Sequence, residues 1–438
     1  MHSVRRFHSS IFGASLRPHS ATVAILLMLL FFLLVLLLVL LTPQPAQAQT
    51  FKVLHTFTGG VDGAWPYAGL TMDRAGNLYG TTQNGGKVGC GSGSGCGTVF
   101  KLSHKGSGWV FTPLYSFQAG SDGAVPTARV LFGPDGSLYG TTSVGGAGYG
   151  TVFKLQPSPV ACKTALCPWI ETVLYRFTGG SDGSKPQNGD LFFDRSGVIY
   201  GTTFGGGTYG LGVVFSLTPS QGAWTESVLY SFTGGNDGQY PFSGVISDDA
   251  GNLYGTASYG GSGGGGTVYE LISSGSGWQE KTLCSFPTGE GGEEYPGGGL
   301  IFDGSGNLYG SLEYNTFSES PEGMVYELTP SNGNWTITHS AGLFEMRDGT
   351  GPGASLVMDA AGNLYGAYIP SALNEPGAVF KVPSDWSPTY LGGFSPDNGD
   401  MPYGGVILDA SGNIYGTASV GGLGQGYQGF GTVWEITP

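Results

Sequence analysis

The side chains able to do chemistry in this sequence are mostly carboxylates, and they fall into two kinds. One kind is periodic. Asp62, Asp122, Asp182, Asp237 and Asp348 each precede a glycine in a recurring loop, and Asp73, Asp194, Asp248, Asp303, Asp359 and Asp409 recur in another. A ring of the first five around a common axis could hold a cation or a polyol, whereas Asp-Gly is also simply what a tight turn requires. The second kind breaks the period. Glu290, Glu293 and Glu294 crowd one loop and Glu313, Glu319 and Glu322 the next, with Tyr314 beside them. Oxygen ligands on loops suit Ca²⁺, whose coordination tolerates flexible geometry, and a solvated acidic rim is the plainer reading. Arg129 takes a slot filled by glycine at Gly69, Gly189, Gly244, Gly299 and Gly405 and by Ser355 in a further unit. Its guanidinium could hold an anionic ligand or pair with a neighbouring aspartate.

The case for catalysis is thin. Beyond residue 48 the histidines are His55, His104 and His339, scattered among elements, and no Ser-His-Asp set or histidine-rich metal set assembles from them. The chain carries 17 basic and 31 acidic side chains, a net charge of −14. Without residues 1–48, which hold Arg5, Arg6 and Arg17 and no acid, 14 basic residues face 31 acidic ones and the net charge is −17. Such a surface repels phosphate backbones, so nucleic acid is not an expected partner.

The first 48 residues read as a secretory signal peptide: a basic start, an apolar run from Val23 to Leu41, then Ala46-Gln47-Ala48 as a cleavage site. The apolar run is long enough for an uncleaved membrane anchor, which is the alternative. Either way the remainder is expected outside the cytoplasm: periplasmic, on the cell surface or secreted. Cysteine usage agrees with an oxidising compartment. Cys90 and Cys96 bracket one loop and Cys162 and Cys167 another, each pair reading as a local disulfide, while Cys284 is left as a buried structural thiol.

The elements that must position all these groups come from self-similarity. Leu/Ile-Tyr-Gly recurs with its tyrosine at 79, 139, 200, 254, 309, 365 and 415, each preceded by a proline: Pro66, Pro126, Pro186, Pro241, Pro296, Pro352 and Pro402. The third unit carries one inserted residue near Asp190. Each unit reads as four strands, a to d: a short strand after the proline, a turn of the Asp73-Arg-Ala-Gly76-Asn77 kind, a strand Leu78–Thr82, a strand opening on Gly-Thr-Val-Phe, and a strand that starts on tryptophan (Trp109, Trp169, Trp224, Trp278, Trp386). Those tryptophans are expected to pack between outer strands. Seven such units predict an all-β, seven-bladed propeller over residues 49–438. The segment Phe51–Phe57 matches a strand d without its own a, b and c, and Gly431–Ile436 a strand c without its d. The first strand should therefore complete the last blade and hide its edge.

The pattern Phe57-Thr-Gly-Gly-x-Asp62-Gly, then Asp73-x-x-Gly-Asn-Leu-Tyr-Gly-Thr-Thr82, then Gly-Thr-Val-Phe100-Lys-Leu102 resembles the GloVer-type tandem repeat, over essentially all of residues 51–438. The hairpin of strands a and b is more loosely similar to repeats of NHL-type propellers. The GloVer resemblance implies an exported bacterial protein, secreted or surface-attached, and implies no activity. The resulting expectation is a monomeric binding or structural module for a glycan, a protein or a small polar ligand, through the loop face of blades five and six. A Ca²⁺-dependent propeller hydrolase or lyase is the alternative.

Overall fold

The computed structural model describes residues 27–32, 49–87, 94–106, 108–159, 169–275, 277–288, 294–314, 323–343, 349–370, 377–422 and 428–437. The chain divides into two units, Met1–Ala48 and Gln49–Pro438. In the first, residues 27–32 are helical, and among the described residues no helix is long and apolar enough to cross a membrane. The second consists of seven antiparallel sheets, each built from strands a, b, c and d in that spatial order. Blade one is Thr71–Met72, Leu78–Thr82, Thr98–Lys105 and Gly108–Ser116.

The repeated sequence explains the repeated sheet. In strand a–b turns, Asp73 accepts hydrogen bonds from the Ala75 and Asn77 backbone N–H groups at Oδ1 and from the Tyr79 hydroxyl at Oδ2. Asp248, Asp303, Asp359 and Asp409 hold their own tyrosines in the same way. These aspartates are turn-formers. In Tyr-Gly-Thr, the glycine makes room for the large ring of strand c: a Cβ on Gly80 would stand 2.5 Å from Phe100, and one on Gly416 2.3 Å from Trp434. That ring is buried in every blade, as Phe100, Phe153, Phe215, Tyr269, Tyr326, Phe380 or Trp434, and each such burial contributes roughly 1.5–3 kcal/mol. The tryptophan opening strand d packs on the Tyr-Gly tyrosine of the preceding blade: Trp109 on Tyr415, Trp169 on Tyr79, Trp224 on Tyr139, Trp278 on Tyr200, Trp335 on Tyr254 and Trp386 on Tyr309. They are packing residues, between blades as well as between strands.

Neighbouring blades are also tied by polar contacts at the inner end. The residue before the proline is left-handed at Trp65, Val125, Lys185, Tyr240 and Met401, with φ between 54° and 59°, a conformation that costs a side-chain-bearing residue of order 1–3 kcal/mol. It is held because the N–H groups of Trp65, Val125, Lys185 and Tyr240 reach carbonyls in the preceding blade: Phe430, Cys96, Tyr149 and Leu211, at 2.8–2.9 Å. Further in, hydroxyls of strand b donate to carbonyls of the segment leading into strand a of the next blade: Thr81 to Ala128, Thr202 to Ser243, Thr256 to Gly298 and, across the ends of the ring, Thr417 to Ala68.

Closure is by the expected strand exchange. Thr50–Thr56 pairs antiparallel with Thr432–Thr437, from Thr50 opposite Thr437 to Thr56 opposite Thr432, and supplies strand d of blade seven. Phe51 stacks on Trp434 and meets Phe394 of blade six edge-on. Removing residues 49–57 would leave Thr432–Thr437 with unpaired N–H and C=O groups at an open edge. By size-exclusion chromatography and thermal melting, that truncation is expected to aggregate and to recover monomer on addition of a synthetic 49–57 peptide. A truncated chain that stays monomeric with an unchanged melting temperature would contradict this account of closure.

Candidate functional site

The seven strands a converge on the axis and enclose a cavity of about 730 Å³. Strand register fixes which residues share a level, because the tyrosine pairs with the residue eight positions earlier in every blade. At one end the lining is apolar, with Leu131, Phe192, Ile246, Ile301, Val357 and Ile407. Two residues earlier along each strand comes a level of Gly69, Arg129, Asp190, Gly244, Gly299, Ser355 and Gly405. Register thus corrects the sequence alignment. The inserted residue of the third unit lies ahead of this level, so the slot belongs to Asp190 and not to Gly189.

Arg129 and Asp190 therefore face each other from equivalent positions of adjacent blades. The Arg129 Nη2 donates to Asp190 Oδ2 at 2.6 Å, and the Arg129 backbone N–H to Oδ1. Of the two readings for Arg129, this geometry is the ion pair. The insertion has a local consequence: the Thr141 hydroxyl, which would reach into blade three, is buried without a partner, as is Arg129 Nε.

The next level out is Tyr67, Thr127, Asn188, Phe242, Gly297, Gly353 and Tyr403, directly after the proline in every blade but the third, where the inserted residue puts Asn188 two positions after Pro186. The glycines of blades five and six leave a gap, and Glu313 fills it. A Cβ on Gly297 would stand 2.8 Å from Glu313 Oε2, and one on Gly353 2.9 Å from it. Blade five is also paired differently. Its pre-proline residue, Tyr295, is extended in the strand Glu294–Tyr295, opposite Glu313 of the strand Leu308–Tyr314. The two side chains hydrogen-bond, with the Tyr295 hydroxyl donating to the Glu313 carboxyl.

Aromatic rings flank this carboxyl. Tyr67 and Tyr403 stack at 4.3 Å between blades one and seven. On the other side Tyr295 stacks with Tyr259 at 5.6 Å, and the run continues through Tyr240 to Phe204 and Phe242. Burial pushes the Glu313 carboxyl up to about 7, against the lowering effect of the Tyr295 hydrogen bond. Burial and the nearby Glu313 charge together hold the Tyr67, Tyr295 and Tyr403 hydroxyls protonated well above the usual range.

The other sequence candidates are placed as follows. Asp62, Asp182 and Asp237 do not ring the axis: each accepts from the backbone N–H and hydroxyl of the threonine four residues earlier, closing its own loop. Asp122 accepts from Tyr115 and the Gln118 N–H, and Asp348 lies outside the described residues. The turn reading holds for these four. Glu290, Glu293, Glu319 and Glu322 lie outside the described residues, so the calcium cluster is not described, and the backbones of Glu294 and Tyr314 pair with each other. Among the described residues no three His, Cys, Asp or Glu side chains gather to hold a metal. Cys96 is buried, and Cys90, Cys162 and Cys167 lie outside the described residues. Cys284 is a free thiol, pushed up by burial to about 11, which keeps it protonated and unreactive. His55 is spent on Asp62 and stacks on Phe111, and His339 is paired with Glu327.

Sequence reasoning picked Glu313 for its acidic neighbours and missed Tyr67, Tyr259, Tyr295, Tyr403, Gly297 and Gly353.

A model of the Gloeobacter/Verrucomicrobia repeat matches residues 40–166, 163–343 and 279–438. The chain belongs to this repeat family. No curated protein matches it. Among solved structures, an ulvan lyase, a polysaccharide lyase bound to -[GlcA(1-4)Rha3S]-, is 9% identical, with 88% of this chain and 95% of that one covered at a TM-score of 0.50. A protein of unknown function from Dyadobacter fermentans is 12% identical, covering 89% of this chain and 100% of that one at 0.44. A fungal alcohol oxidase in complex with copper is 12% identical, covering 90% and 77% at 0.49. At these identities the likeness concerns the propeller fold alone.

The Glu313 environment yields a test on this Gloeobacter/Verrucomicrobia repeat protein. A free glutamate titrates near about 4.3, so the folded state binds the Glu313 proton more tightly than the unfolded chain does. The stability this contributes is fully present below the unfolded value and is lost as pH rises through about 7. Glu171 and Glu226, also raised to about 7 by burial, add the same slope to parent and variant alike. The melting temperature of Glu313→Gln is expected to gain on the parent between pH 5 and pH 8. Parallel melting curves across that range would contradict a raised Glu313 carboxyl with no cationic partner among the described residues.

Proposed function

We propose that this protein is an exported glycan-binding propeller whose site is the axial cavity at the face of the loops after the prolines. The observation that carries the reading is the juxtaposition of stacked tyrosines and one half-buried carboxyl around a preformed opening. Ligand sites are mostly apolar concavities with a few placed polar groups. Aromatic rings offer flat apolar faces with polar tips, which suit a sugar ring that is apolar on its faces and hydroxylated at its rim. The leader at residues 1–48 supports a location outside the cytoplasm, where such ligands occur.

One observation favours a second reading, a hydrolase or lyase. A carboxyl poised near neutrality and hydrogen-bonded to a tyrosine hydroxyl is equipped to move a proton. Turnover would release shorter chains from a polysaccharide, whereas a binder would leave its length unchanged.

Binding of soluble oligosaccharides, measured by calorimetry or on a glycan array, tests the primary reading. Tyr403→Ala is expected to weaken whatever glycan binds by up to about tenfold, the loss of one aromatic contact of roughly 0.5–1.5 kcal/mol. Trp109→Phe, in the blade seam, should leave that affinity unchanged. A protein that binds no oligosaccharide at millimolar concentration would contradict the proposal.

A further inference from the structure

We propose that the cavity selects sugars bearing a free amine, with the ammonium group held between Glu313 and the rings of Tyr67, Tyr295 and Tyr403. This rests on the glycan reading above and narrows its ligand class.

The charges of the cavity wall lead there. Among the described residues its charged side chains are Arg129, Asp190 and Glu313. The first two neutralise each other at 2.6 Å in blades two and three. Glu313, on blade five, has no cationic partner among the described residues; its contacts are the Tyr295 hydroxyl and the cradle of Gly297 and Gly353. A carboxylate withdrawn from water without a counter-ion is costly. A ligand ammonium would supply that counter-ion, so the energy recovered on binding favours an aminated sugar over its neutral twin.

The rings add to this. Tyr67 and Tyr403 from blades one and seven, and Tyr295 from blade five, all lie near enough to Glu313 to respond to its charge. Ring faces attract a cation, by about 0.5–1 kcal/mol when exposed and about 2 when dry. A uronate, by contrast, would bring a second negative charge to Glu313 while finding Arg129 already paired. The chain's net charge of −14 also opposes an anionic ligand.

The dependence on pH follows from the groups that face Glu313. Tyr67, Tyr295 and Tyr403 stay neutral in the range of interest. The Glu313 carboxyl changes charge near neutrality. Preference for the amine should therefore weaken below about pH 6, as Glu313 takes its proton.

The test uses three matched tetramers: β-1,4-linked glucosamine, its fully N-acetylated form, and cellotetraose. Affinities are measured on the full chain at pH 7, in about 0.15 M and about 0.5 M salt, the latter to screen attraction by the acidic surface. The glucosamine tetramer is expected to bind at least about tenfold tighter than either neutral tetramer at both salt levels. In Glu313→Gln the preference should vanish while cellotetraose binding persists. Tyr403→Phe, which keeps the ring and drops the hydroxyl, should retain the preference and so shows that a change at this site does not by itself abolish binding. Equal affinities, a preference lost in about 0.5 M salt, or one that survives Glu313→Gln would each overturn the inference. In those cases the glycan reading stands as long as a neutral tetramer binds. If no tetramer binds, both fail.

Discussion

Seven sheets arranged around one axis must bring seven short strands so close together that most of their side chains have no room. The chain meets this constraint with glycine. A Cβ on Gly69 would stand 3.0 Å from the Gly405 carbonyl oxygen, and one on Gly405 2.9 Å from that of Ser355. The approach lets strand b hydroxyls reach the next blade's carbonyls, and it lets the pre-proline residues hold their left-handed backbone against inter-blade hydrogen bonds. Glycine loses more conformational freedom on folding than other residues, so the ring depends on the large buried rings of strand c and on closure by Thr50–Thr56 to offset that loss.

The same constraint makes each departure from glycine consequential. Arg129 enters the axial level only because the inserted residue of the third unit delivers Asp190 opposite it. The accommodation leaves Thr141 without the inter-blade bond its counterparts make. In blades five and six the order is reversed. Glycine extends one level further out, to Gly297 and Gly353, and a side chain from strand b, Glu313, occupies the space. The extended backbone at Tyr295, where the other side-chain-bearing pre-proline residues are left-handed, aims a hydroxyl at that carboxyl.

The architecture was legible because it is written seven times. The Tyr-Gly period, the split first and last units and the regular tryptophans gave the blade count, the closure and the packing seams. The site was only partly legible. Arg129 was recognised as an exception, yet its partner was hidden, since a one-residue insertion can be placed on either side of Asp190 until register decides. Glu313 was noticed for its acidic neighbours, whereas its environment comes from glycines and tyrosines distant in sequence. Tyr67 and Tyr403 stand 336 positions apart and stack only because the ring closes. No local pattern encodes that contact.

A propeller whose repeats serve as scaffold, with its chemistry concentrated where blades five and six depart from the repeat, has one feature at its centre: a half-buried cavity carboxyl with no counter-ion among the described residues. Carbon-detected NMR titration of Glu313, assigned by comparison with Glu313→Gln, reads that feature directly. A midpoint near 7 is the result the structure predicts. A midpoint in the ordinary glutamate range, about 4.3, would contradict it.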